Sequence, residues 1–231
     1  MGKTSVSHAI LLCALIIQAG CFKLGRDTPV LRQYVLPSAG VRAEAAAPQR
    51  VGGVTIGVRR LDLAAYLASP AIVVRRGARQ IETSEFHRWG EDPLQGINRA
   101  LAVHLAALPS VGAVDVAPWA PRTPHDYLLQ LHVLRFEGVA DEAATTGEAQ
   151  LFVTWEIITR QDNFVLGRGK SDYRQGGWQV GDYEALVTSL DRLLNSLARD
   201  VVACIARLPA STPQASVGVA MPEPLACRQQ E

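Results

Sequence analysis

The residues best placed to do chemistry stand near the start of the chain. In "AILLCALIIQAGCF" a continuous apolar run ends at Ile17, and Gln18, Ala19 and Gly20 then lead to Cys21. A cysteine behind two small residues offers its sulfur to a peptidase and an acyltransferase, as in the bacterial lipobox. There the thiol takes a diacylglycerol thioether and becomes the new N-terminus. Gln18 occupies the place where leucine is usual. The alternative is an ordinary signal peptide followed by a chance cysteine. The apolar run is less than half of the roughly 20 residues that a bilayer span needs. With one cation ahead of it, Lys3, and small residues after it, the segment has the proportions of an export signal. Lipidation at Cys21 would fix the protein to a membrane, since each buried methylene adds about 0.8 kcal/mol and two or three chains hold stably. Phe22 stands where many inner-membrane lipoproteins carry aspartate, so the outer membrane, on its periplasmic face, is the expected location.

Other groupings offer less. "GRGKS" at Gly167 to Ser171 resembles a phosphate loop, but the glycine such a loop needs five places earlier is Phe164, and the stretch lies in a strand pattern. His87, His104, His125 and His132 fall in a loop, on a helix, before a strand and inside a strand. None has partners at metal-ligand spacing, so no metal site and no cofactor are expected. There is no G-x-S-x-G elbow, and Glu91-Asp92 fits a helix start, where negative charge meets the positive end of the dipole. These residues give no support for an enzyme. Cys204 and Cys227 remain; in an oxidising periplasm they could form a disulfide, or they could stay as free thiols.

The elements that must position these residues follow from periodicity. Residues 1–20 are the leader, and 21–50 hold a tether, a short strand in "LRQYVLP" and an Ala/Pro-bearing linker. The domain runs over 51–208, or 31–208 with that first strand, and 209–231 reads as a disordered tail rich in Ala, Pro, Ser and Gln. "VGGVTIGVRRLDL" has strand composition, and "AIVVRRGARQIETSEF" is a hairpin around Gly77-Ala78. Asp92, Pro93 and Gln95 make a helix start, with Leu94, Ile97, Leu101, Leu105 and Leu108 at helical spacing up to Pro109. "VGAVDVAPW" is a short strand. Three longer ones follow as an antiparallel meander, with Leu129, Leu131 and Val133, then Leu151, Val153, Trp155 and Ile157, on single faces. A last helix, capped by Asp182, carries an apolar stripe from Leu186 to Ile205. The order strands, helix, strands, helix predicts an α+β fold: a mixed, mostly antiparallel sheet with two helices packed on one face.

Composition sets the partners. The chain has 231 residues, 48% of them hydrophobic, enough for one well-buried core. Losing the leader removes Lys3 and leaves 22 basic against 22 acidic side chains. A neutral surface has no field to draw nucleic acid.

Two stretches, "IGVRRLDLAAYLASPAIVVRR" from Ile56 and "ETSEFHRWGEDPLQGINRALAVHLA" from Glu82, resemble the signatures of the ABC-type transport auxiliary lipoproteins, the group that includes the paraquat-inducible protein C type. The likeness covers roughly residues 31 to 208 and places the lipobox where that family has it. It implies a role beside MCE-type lipid transport, with an MCE-domain periplasmic protein and its inner-membrane complex as partners, membrane attachment through lipid, and a homo-oligomer as a further option. Tyr66, Phe86 and Trp89 are the candidate contact residues, because aromatic anchors are enriched at interfaces. Each also suits the core between hairpin and helix. A plug for an outer-membrane β-barrel and a periplasmic hydrolase are the alternative readings.

Overall fold

The computed structural model describes residues 29–36, 52–120, 123–159, 164–208 and 223–227. The leader, Cys21, the linker after Leu36 and residues 209–222 lie outside them. Among the described residues ten strands join one mixed sheet, and two helices pack on one of its faces; the mixed sheet with both helices on one face is what periodicity predicts.

Strand β7 (Tyr127–Ala140) is the organising element. On one side it pairs antiparallel with β8 (Thr146–Ile158), which pairs antiparallel with β9 (Val165–Gln179), giving the expected meander. On its other side β7 accepts three short parallel strands in succession: β2 (Val54–Val58), β3 (Asp62–Leu63) and β4 (Ala71–Arg76). The stretch expected as one strand is thus broken at residues 59–61, which include buried Leu61, before it rejoins the same partner with its register shifted by one residue. Strand β4 continues by a turn at Gly77, whose positive φ of 57° suits glycine, into β5 (Gln80–Trp89). Strand β5 runs three residues beyond the expected hairpin, so His87 belongs to a strand and not to a loop. Strand β1 (Arg32–Tyr34) lies parallel along β5 at one end of the sheet, and β6 (Val111–Val116) pairs with β2.

Both helices start as their sequences predict. In α1 (Pro93–Ala107) the Asp92 carboxylate accepts the Leu94 amide at 2.8 Å. In α2 (Tyr183–Ile205) Asp182 accepts the Ala185 amide at 3.0 Å. The stripes Ile97, Leu101, Leu105 and Leu186, Leu190, Leu194, Leu197, Val201 are buried. They meet Leu129, Leu131, Val133, Leu151, Val153, Trp155 and Ile157, which are buried as alternation requires. His104 on α1 pairs with Asp191 on α2 at 3.0 Å.

The two glycines of "GRGKS" have packing explanations. A Cβ on Gly169 would come within 2.2 Å of the Trp155 ring, so only glycine leaves room for that indole in the core. A Cβ on Gly167 would stand 3.2 Å and 3.3 Å from the sulfurs of Cys204 and Cys227. Those cysteines are joined as a disulfide, with Cα atoms 5.7 Å apart. This corrects the reading of the tail: Leu225–Cys227 forms a strand, β10, parallel to β9 at the edge opposite β1. Three residues in a polar tail carry too little pattern to announce a strand, and the sulfur bond supplies what periodicity cannot.

Replacing both Cys204 and Cys227 by serine should lower the urea unfolding free energy by ~3 kcal/mol, from the loop that their separation of 23 residues closes. Reductant should bring the parent protein to the same midpoint and leave the variant unmoved.

Candidate functional site

The helices cover one face of the sheet, and the other is built from the alternate positions of the same strands. A bulge in β7 between Val133 and Arg135 changes the alternation. Before it, odd-numbered residues face the helices; after it, Phe136, Gly138 and Ala140 do so, which sends Arg135 and Glu137 to the open face. Leu134, the extra residue, is left 41% exposed there.

Glu137 is the most unusual group on this face, for its side chain is fully buried. It receives the Arg75 guanidinium twice, from Nε at 2.7 Å and Nη2 at 3.3 Å. The short 3-10 turn Ala65–Leu67 carries Tyr66 over the pair. Its hydroxyl donates to the Leu134 carbonyl at 3.0 Å, and Arg75 lies 5.7 Å from its ring centroid. Burial, and then the Glu137 charge, push the Tyr66 phenol up to about 12. The bond to Glu137 holds the Arg75 guanidinium above its usual value. The group is therefore a fixed ion pair under a neutral phenol, with charge balanced inside it.

Further along β7–β9 the signs alternate. Arg135 donates to Gln150 at 3.1 Å, Gln150 to Asp172 at 2.6 Å, and Arg174 bridges Asp172 and Glu148. Nearer β10, Arg168 pairs with Glu156 at 2.8 Å, and Lys170 lies 5.1 Å over the Phe152 ring. His132, Thr154, Glu156, Arg168, Lys170 and Ala226 line a shallow depression of about 690 Å³. Among the described residues no three His, Cys, Asp or Glu side chains converge to hold a metal ion. The open face thus carries a shallow depression and charges that balance in pairs.

The three aromatic candidates do not share one surface. Trp89 is buried and stacks on Phe136 at 5.8 Å, so it belongs to the core and leaves the list of contact residues. Tyr66 is half-buried as the brace over Arg75, and Phe86 is exposed on β5. Cys21 lies outside the described residues. What sequence reasoning missed is the Arg75–Glu137 pair, whose members are 62 positions apart. The one available signal was a glutamate set between Phe136 and Gly138-Val139-Ala140 in a long strand.

A second polar contact sits where β1, β5 and α2 meet. His87 stacks between Tyr34 at 5.7 Å and Tyr183 at 4.1 Å, and the Tyr34 hydroxyl lies 2.8 Å from its Nδ1. Burial, and then the Arg32 charge, lower the His87 pKa. The neutral ring is the one that can accept from Tyr34.

An antiparallel meander flanked by short parallel strands and backed by two helices defines the class, an α+β domain of the auxiliary-lipoprotein kind. The family model described as "ABC-type transport auxiliary lipoprotein component" matches residues 34–202, and the chain belongs to that family. Among solved structures, the protein XCC0632 from Xanthomonas campestris is similar, with a TM-score of 0.56 and 17% identity over 75% of this chain and 90% of its own. A second crystal structure, of an uncharacterized protein, gives a TM-score of 0.55 and 17% identity over 76% of this chain and 99% of its own. At these identities the likeness is one of fold. No curated protein matches the chain.

Glu137→Ala should strand the Arg75 cation and cost about 3–5 kcal/mol, whereas Glu156→Ala, which breaks a half-exposed pair, should cost about 0–1 kcal/mol; paired urea titrations measure both. His87 gives a pH dependence. Its folded pKa is lowered, so its contribution is complete above the unfolded value of about 6.5 and is lost as pH falls through and below it. The stability difference between the parent and His87→Phe should therefore shift against the parent as pH is lowered from about 7 to about 5.

Proposed function

We propose that the protein is a lipid-anchored, non-catalytic accessory component of an MCE/ABC-type intermembrane lipid transport system. It acts on the periplasmic face of the outer membrane as a docking or structural part. Membership of the transport auxiliary lipoprotein family over residues 34–202 carries this reading. The motif Ala19-Gly20-Cys21 and the residue after it, Phe22, support attachment through lipid and the choice of membrane. The open face is the surface for an MCE-domain partner: Tyr66 and Leu134 supply apolar contact, and the Arg168–Glu156 and Arg174–Glu148 pairs supply orientation. Such alternating charge sets register more than affinity.

Photo-crosslinking amino acids placed at Leu134 and Thr154 should trap an MCE-domain protein in envelopes, while one at Arg192 on α2 should not. Mass spectrometry of the adducts decides. A β-barrel protein in their place, or equal trapping from the helical side, would overturn this assignment.

A further inference from the structure

Among the described residues from Leu31 onward, four large apolar side chains are exposed, and three of them lie at one margin. Leu31 and Val35 flank β1, and Phe86 is on β5; they are 50%, 51% and 36% exposed. The register Arg32↔His87 sets Leu31 beside Phe86. Because Tyr34 and His87 turn towards Tyr183 on α2, alternation sends Leu31, Val35 and Phe86 to the opposite side. Val35 also lies against Gly90, where a Cβ would come within 3.1 Å of its Cγ1. Strand β1 ends the sheet, with no further described strand beyond it. An apolar patch on an open strand edge invites association unless something occupies it.

The chain before Leu31 identifies the occupant. Only residues 22–30 separate it from Cys21, and at full extension they span roughly 30 Å, about one hydrocarbon thickness. A tether this short presents the patch to the bilayer at an effective concentration on the order of millimolar, so even a small apolar area binds. Arg88, two residues from Phe86 on the same strand, suits an interface, where aromatic rings sit at headgroup depth and cations reach phosphate.

We propose that Leu31, Val35 and Phe86 rest in the interfacial layer of the same bilayer that holds the acylated Cys21. The β1–β5 edge then faces lipid and the β9–β10 edge faces the periplasm. This inference rests on the lipid-anchor reading, and its test separates the two.

The mature acylated protein is reconstituted on vesicles of phosphatidylethanolamine and phosphatidylglycerol, and amide hydrogen exchange is compared with that of the Cys21→Ala chain free in solution. Flotation with the vesicles tests the anchor alone. Exchange in peptides covering 31–35 and 84–88 should slow by roughly tenfold on the vesicles. The triple variant Leu31→Ser, Val35→Ser, Phe86→Ser should float equally well, unfold at an unchanged midpoint and show no such slowing. Flotation with unchanged exchange in the parent would overturn the membrane patch and leave the anchor standing. Slowing of the same peptides in the free Cys21→Ala chain as its concentration rises would assign the edge to a second copy, and would also overturn it.

Discussion

Most of this molecule depends on how β7 keeps its register. It is paired along both sides, with β8 on one and with β2, β3 and β4 in turn on the other, so a slip of one residue would turn its whole apolar set to the wrong face. The bulge between Val133 and Arg135 uses that rule locally. Leu129, Leu131 and Val133 fill the layer under the helices on one side of it, and Phe136 fills that layer on the other. One inserted position lets a single strand build a continuous core and still deliver Glu137 to the open face. The buried charge is tolerable because its partner arrives with it: β4, parallel to this half of β7, brings Arg75 into bidentate reach.

Legibility in the sequence followed the length of the pattern. Both helices could be read with their caps, because Asp92 and Asp182 stand immediately before long apolar stripes and the structure uses each carboxylate as a cap. The meander could be read because its strands are 14, 13 and 15 residues long and alternation is clear over Leu129–Val133 and Leu151–Ile157. Short elements were read unevenly: β1 and β6 were expected, but two other features were not. The break at residues 59–61 leaves no mark because no glycine or proline stands between Val58 and Asp62, and β10 has three residues in a polar tail. The surface was the least legible part. Trp89 looked like an anchor because aromatic type says nothing about face, and its stacking on Phe136 depends on a strand distant in sequence.

The two glycines of "GRGKS" show how a motif's letters can be right and its chemistry absent. A phosphate loop uses glycine to let backbone amides close on an anion. Here the missing side chains make room for an indole at Gly169 and for two sulfurs at Gly167. Family membership agrees with this division of roles: the domain belongs to a transport auxiliary lipoprotein component, and its polar groups are joined to one another across strands.

The bond between Cys204 and Cys227 ties the end of α2 to the strand that closes the β9 side of the sheet. Without that bond the closing strand rests on three residue pairs and on the packing of Leu225 and Cys227 against the core, a short hold that is open to fraying. Completion of the sheet is in this way linked to thiol chemistry: a reduced chain keeps that margin by pairing and packing alone, and oxidation locks it to the helix behind it.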